Sequence, residues 1–333
     1  MKESKTALRE RLSPMTITRR TLLAAAAGAS ALVAAPSILR AQEKTLKIGG
    51  LRLIHSITPH FYEKFPIPGY KVEVITFDSP TDGKNAVVTR SVDFGMFGAA
   101  AAILGGAAGE PLTVIAAACN RGMGVIAKAN LPIASVKDLK GRKIAIWPGS
   151  TQEVFIMERL RMEGLSIRDV TPVRVPFGEM HAALMRGDVE GYVGAEPTPG
   201  LSLATGEGKL VEYPYGTSMG SLNMVTATHE KMLSENSDLV RAFLKMHRQA
   251  TEHAEGNREA KIEMAIAKLG ARREALEKAV GNVELTWRMD ETMIQRTKTY
   301  AAQMLELKQI RALPDFDKFL SPKFNDEIAK LAV

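Results

Sequence analysis

Cysteine is nearly absent from this chain: of 333 residues, only Cys119 carries a thiol. No internal disulfide is therefore available to staple the fold. Cys119 sits in the apolar run Val114–Cys119, where a small buried hydrophobe is its expected role. Long hydrophobic runs are also lacking. Beyond the first forty-odd residues, no stretch is long and apolar enough to cross a bilayer. Nor is there an excess of one charge once the amino-terminal segment is set aside. The chain has 44 Lys and Arg against 37 Asp and Glu, a formal +7, and residues 1–41 hold seven of the basic and two of the acidic residues. That segment accounts for +5, and the remaining +2 argues against nucleic-acid binding.

No catalytic or metal-binding constellation in the sequence persuades either. The six histidines are scattered, and no His-x-x-x-His or Cys-x-x-Cys spacing outlines a metal site. There is no Gly-x-x-x-x-Gly-Lys phosphate loop. His55 and Ser56 are adjacent, and sequence neighbours rarely reach base-to-nucleophile geometry, so His55 is expected to be a loop histidine. Glu196 before Pro197 suits a carboxylate accepting hydrogen bonds from a bound amine as well as it suits a general base. The expectation is a chain with no enzymatic activity, no metal and no cofactor.

What is present begins with an export segment. Arg19-Arg20 directly precede Leu22–Ala35, a stretch too short and too rich in alanine and glycine for a membrane span. Pro36 follows, and Ala41 offers a small residue for cleavage. Paired arginines before a weakly apolar core resemble a twin-arginine signal. The remainder, about 290 residues, is expected in the periplasm and is long enough for two lobes with separate cores.

After that segment, strands and helices alternate. Thr45–Gly49, Tyr70–Phe77, Val92–Phe97 and Pro111–Cys119 read as strands, the last as a continuous apolar strand of a parallel sheet. Ser79 before Pro80 marks a helix start, and an alanine-rich helix should end near Ala108. Asn120–Gly124 interrupts the rhythm as a glycine-flanked turn, and Val125–Lys128 is a short strand. The rhythm resumes with Lys143–Trp147, a Pro148-Gly149 break and a helix capped by Ser150, with Glu153 three residues on in capping-box spacing. Val170–Val175, Val189–Val193, Lys209–Tyr213 and Met224–Thr228 are further strands. The rest is helical, with spans predicted at Ser237–Glu255, Arg258–Val280 and Asp290–Leu307. This pattern predicts an α/β fold with right-handed crossovers.

Two halves of the chain correspond. Lys47-Ile48 and Lys143-Ile144 open their strands 96 residues apart, and Arg90 and Arg186 end helices at the same offset. The correspondence predicts two lobes of similar topology. Ligands of open α/β sheets sit beyond the carboxyl ends of the strands. Arg52–Ser56, Ser79 and Gly98–Ala100 of one lobe should therefore face Gly149–Gln152, Phe177–Met180 and Gly194–Glu196 of the other.

Several motifs carry a family resemblance: Phe77-Asp78-Ser79, Arg90-Ser91-Val92-Asp93-Phe94-Gly95, Asp138-Leu139-Lys140-Gly141, Gly149-Ser150-Thr151, Arg186-Gly187-Asp188 and Glu196-Pro197. Their order and spacing resemble periplasmic solute-binding proteins of the nitrate/sulfonate/taurine type across nearly all of residues 45–333. The resemblance implies a type II periplasmic-binding-protein fold: two lobes, each a mixed, mainly parallel sheet flanked by helices. Residues 42–122 and 223–333 would form lobe I and residues 123–222 lobe II, with hinges at Asn120–Gly124 and Gly216–Asn223. It implies a monomer that captures a small solute and delivers it to an ABC permease with its cytoplasmic ATPase. The ligand contacts it implies are Ser79, Gly98, Ser150, Thr151, Gln152, Glu196 and Asn223; Ser56 of the first strand-end loop is expected to join them, with Arg121 adding charge. Ala99 and Ala100 replace hydroxyl residues that sulfonate binders often carry, and Gly194-Ala195 replaces a common aromatic, so pyrimidine-precursor and aromatic-acid ligands stay open. A periplasmic sensor subunit and a pyrimidine-forming synthase are the alternatives on this fold.

Overall fold

The computed structural model describes residues 43–331; the predicted export segment lies outside them. Eleven strands form two sheets within these residues. In the first, β1 (Lys44–Leu51) runs parallel between β2 (Tyr70–Phe77) and β3 (Phe94–Gly98). β4 (Leu112–Arg121), β10 (Leu222–His229) and β11 (Val283–Leu285) complete the order β11-β4-β10-β3-β1-β2. The second sheet takes β5 (Met123–Lys128), β6 (Lys143–Ile146), β7 (Thr171–Arg174), β8 (Gly191–Ala195) and β9 (Gly208–Glu212) in the order β7-β6-β8-β5-β9.

The 96-residue correspondence reappears as shared register. Ile48 pairs with Val74 and Phe94, and Ile144 pairs with Pro172 and Gly191, each in parallel. Both sheets then add antiparallel strands: β10 beside β3, and β5 beside β8. The run Pro111–Cys119, predicted as a parallel strand, falls in β4, which is antiparallel to both of its neighbours. Its unbroken apolar sequence reports burial on both faces, which strands of either direction can share.

Two passages carry the chain between sheets. β4 and β5 are separated by Gly122 alone, and residues 213–221 lead from β9 back to β10. The first sheet is covered by the helix Ser237–Gly256, which stacks Phe243 on Phe94 of β3 with ring centroids 3.8 Å apart. His247, one turn on, joins Tyr62 Oη at 2.9 Å and the Ala117 carbonyl at 3.2 Å, so this buried polar group is satisfied.

The carboxy-terminal helices reach the second sheet's helices. A span predicted as one helix from Arg258 divides into Arg258–Leu269 and Arg273–Ala279, because Gly270 adopts the left-handed conformation (φ +65°) that ends a helix. The second piece packs on the helix Thr198–Ala204. A side chain at Gly200 would drive its Cβ into the Ala275 carbonyl oxygen, so glycine is what permits the approach. The helix Glu291–Glu306 sets Tyr300 edge-on to Phe155 of the helix Thr151–Met162.

Candidate functional site

The carboxyl ends of the strands in both sheets meet, as the alternation of elements predicts. Gly98 ends β3, and a Cβ there would lie 2.9 Å from the Thr151 hydroxyl at the start of the helix Thr151–Met162. The Thr151 hydroxyl donates to the Asn223 carbonyl (3.0 Å) at the start of β10. Asn223 in turn donates its side-chain amide to the Arg121 carbonyl at the end of β4. Gly98, Thr151, Asn223 and Arg121 therefore form one continuous contact across the two sheets. Ser56 lies on the same strand of contacts: its hydroxyl accepts from the Leu51 amide at 3.1 Å and approaches Met224 Sδ, next to Asn223.

The two helix N-termini expected to bind a ligand also approach one another. An ideal Cβ at Gly149 comes within 3.9 Å of the Thr81 hydroxyl. Each N-terminus is already served by its own chain. Ser79 accepts from the Asp82 amide at 3.2 Å and donates to the Asp82 carboxylate at 2.7 Å. Ser150, fully buried, accepts from the Glu153 amide at 3.2 Å. The Glu153 carboxylate takes the Gly149 amide at 2.7 Å instead of the Ser150 amide that a capping box would use. An acid in each first turn satisfies the positive end of the helix dipole. Gln152 is buried beside them, and its side chain makes no hydrogen bond among the described residues.

Glu196 occupies the far side of the junction. Its carboxylate is 1% exposed and accepts from Asn282 Nδ2 at 3.1 Å and from the Gly200 amide at 2.9 Å. Both donors are neutral, and burial pushes the carboxyl up to about 7. Its amide donates to the Gly122 carbonyl, which ties β8 to the passage between sheets. Arg121 stays half-exposed, with its guanidinium 5.7 Å from the centre of the Tyr215 ring.

Asn282 was not foreseen, and it organises this side. It donates to the Met123 carbonyl as well as to Glu196, accepts from Tyr215 Oη at 2.8 Å, and its carbonyl receives the Gly122 amide. It lies between two predicted helices, two residues beyond the expected end of the first at Val280, and no local pattern distinguishes it from a surface asparagine. His55 is fully buried against Gly122, with no hydrogen-bond partner on either ring nitrogen among the described residues. Burial lowers it to about 4, so it is neutral at pH 7.

Beside this packed junction the strand-end loops stand apart. A cavity of about 360 Å³ lies between Leu51–Leu53 and Asp78 on one side and Pro176–Glu179 on the other. A second, of about 260 Å³, continues from it past Pro197, Thr198 and Leu201. Arg52, Leu53 and Gly178 line both.

The sequence model described as NMT1/THI5 like matches residues 65–260. The chain belongs to the NMT1/THI5-like family. Among relatives, an Escherichia coli (strain K12) protein described as aliphatic sulfonates-binding is 23% identical over 205 residues, covering 61% of this chain and 64% of the relative. The match thus spans less than two thirds of that relative's length. The NMT1/THI5-like chain also superimposes on the alkanesulfonate-binding protein of Xanthomonas axonopodis pv. citri bound to MOPS, with TM-score 0.74 and 18% identity, covering 84% of this chain and 98% of that one. The periplasmic nitrate-binding protein of Synechocystis PCC 6803 gives TM-score 0.73 and 17% identity, covering 86% and 88%. At such identities the likeness establishes the fold, that of two-lobed periplasmic binding proteins.

Proposed function

We propose that this chain is the exported solute-capturing component of an ABC importer. It holds a small organic anion of the sulfonate class between its two sheets and presents it, as a monomer, to a membrane permease with a cytoplasmic ATPase. The observation that carries the proposal is the meeting of strand ends: loops after β1 and β2 face loops after β7 and β8 across an open groove, and beside it the loop after β3 packs against the turn after β6. The ligand contacts would be Ser56, Ser79, Gly98, Ser150, Thr151, Gln152, Glu196 and Asn223, which lie in the packed junction beside that groove, with Arg121 at the edge. Residues 42–122 and 223–333 would move as lobe I and residues 123–222 as lobe II. Hinge motion would centre on Gly122 and on residues 213–221, the two passages between sheets. Residues 1–41 would direct export to the periplasm by the twin-arginine route.

Cys119, the chain's one thiol, speaks against thiol chemistry at this site. It is fully buried, donates to the Asn120 carbonyl at 2.9 Å and is held well above the ordinary thiol range by burial. Such a thiol is a packing residue and a poor nucleophile.

A second reading rests on Glu196. A buried carboxylate served only by neutral donors would gain most from a ligand bearing N–H groups, which favours an amine or an aminopyrimidine. A thermal-shift panel of alkanesulfonates, MOPS, nitrate, benzoate and 4-aminopyrimidine separates the two. A member present at 100 times its Kd adds about 2.7 kcal/mol of stability. If none moves the melting midpoint, the solute-capture proposal fails.

A further inference from the structure

The groove has a wall that belongs to neither set of strand-end loops. Its 260 Å³ part is closed by Leu269–Arg272, the turn between the helices Arg258–Leu269 and Arg273–Ala279. In this conformation that turn sits against the helix Thr198–Ala204, where the Ala275 carbonyl rests directly on Gly200. The facing surface is apolar: Leu53 and Phe177 are almost fully buried, and Leu201 and Leu269 are half-buried. The charged groups stand at the rim. Arg52 pairs with Asp78 at 3.1 Å, with both side chains largely exposed. Arg273 pairs with Glu259, whereas its neighbour Arg272 has no ion-pair partner among the described residues.

We propose that the turn Leu269–Arg272 is a third, specificity-determining wall of the solute site. Leu53, Phe177, Leu201 and Leu269 hold the apolar body of an amphiphilic organic anion, and Arg272 attracts its acid group at the rim. The proposal rests on the solute-capture reading and extends it: the site selects by apolar bulk as well as by charge. An ion as small as nitrate would leave the groove empty. An anion carrying a chain or ring displaces water from it, and burial of each methylene favours binding about fourfold.

The test is calorimetry of the whole exported chain with the straight-chain series from methanesulfonate to octanesulfonate. Affinity is expected to climb about threefold to fourfold per methylene until the groove is filled. Leu269→Ser should flatten that slope for the longer members and leave methanesulfonate unchanged. Arg272→Gln should weaken every member severalfold, and less at high salt, because a rim charge acts through screened attraction. Unchanged melting midpoints in the ligand-free variants show that the fold is intact. Measurable binding with no slope along the series, or a Leu269→Ser slope equal to that of the parent, overturns the third wall and leaves the capture proposal standing. If the parent binds no member of the series, and neither MOPS nor nitrate, the capture proposal falls and this inference falls with it.

Discussion

Replacing Glu196 by glutamine removes a buried charge and leaves the shape of the side chain almost unchanged, so its effect can be worked out from the surroundings. The carboxyl is raised from its ordinary 4.5 to about 7 by burial, against the opposing influence of the Asn282 and Gly200 donors. At roughly 1.4 kcal/mol for each tenfold change, ionising it in the folded protein costs about 3 kcal/mol. The folded state holds this proton more tightly than the unfolded chain does. The group's contribution to stability therefore falls as pH rises from about 4.5, and reaches its most adverse value above about pH 7. Glutamine has no such titration. It introduces a different, pH-independent penalty, because one end must present an N–H to a neighbouring donor. Asn282 cannot rotate to relieve this without losing its bonds to Met123 and Tyr215, at about 1–3 kcal/mol.

The decisive quantity is therefore the difference in unfolding free energy between Glu196→Gln and the parent, followed across pH. It should move in favour of the variant by about 3 kcal/mol from pH 4.5 to pH 8, whatever its offset. Urea denaturation of ligand-free protein, followed by tryptophan fluorescence at half-unit pH steps, supplies the curve. Titrations elsewhere in the molecule cancel in the difference. Parallel curves would mean that Glu196 ionises freely, and the account of an uncompensated buried carboxylate would be refuted.

The parent should also lose stability in acid. His55 and His247 are lowered from 6.5 to about 4 by burial, so the folded state binds fewer protons and stability falls as pH drops from 6.5 toward 4. His247→Gln should shorten that acid limb by about 3 kcal/mol, and an unaltered limb in the same urea assay would contradict the assignment. Gly200→Val should destabilise the protein by about 3 kcal/mol or more through overpacking against the Ala275 carbonyl, lowering the calorimetric midpoint by several degrees; a midpoint within one degree of the parent counts against the close approach. Ser150→Ala should cost about 1 kcal/mol in ligand-free protein through the lost N-cap, and weaken ligand binding only modestly. Gly149→Val should disrupt binding outright, because Gly149 adopts φ +74°. Calorimetry with the bound solute showing no change in either variant would make this turn purely structural.

Much of the fold is written locally. Period-two strands such as Tyr70–Phe77, the caps at Ser79 and Ser150, and the equal offset of Ile48 and Ile144 each report their own neighbourhood, and the structure places them as expected. Strand direction is not local, which is why Leu112–Arg121 reads as buried but not as antiparallel. The short strand Val283–Leu285 carries too few residues for a periodic signal and exists because β4 offers it a free edge. The same limit hid Asn282, whose partners Met123, Glu196 and Tyr215 come from three other segments.

By itself the sequence determined most of the strand segments, where the helices begin, and that strand ends from two similar halves would line a cleft. Those properties follow from hydrophobic period, capping chemistry and chain order. Only the tertiary structure decided that Gly98, Thr151 and Asn223 pack directly together, that the open space lies toward Leu53 and Phe177, and that Leu269–Arg272 closes it. These are outcomes of side-chain volume and of contacts between residues far apart in the chain, and neither is encoded in any one stretch.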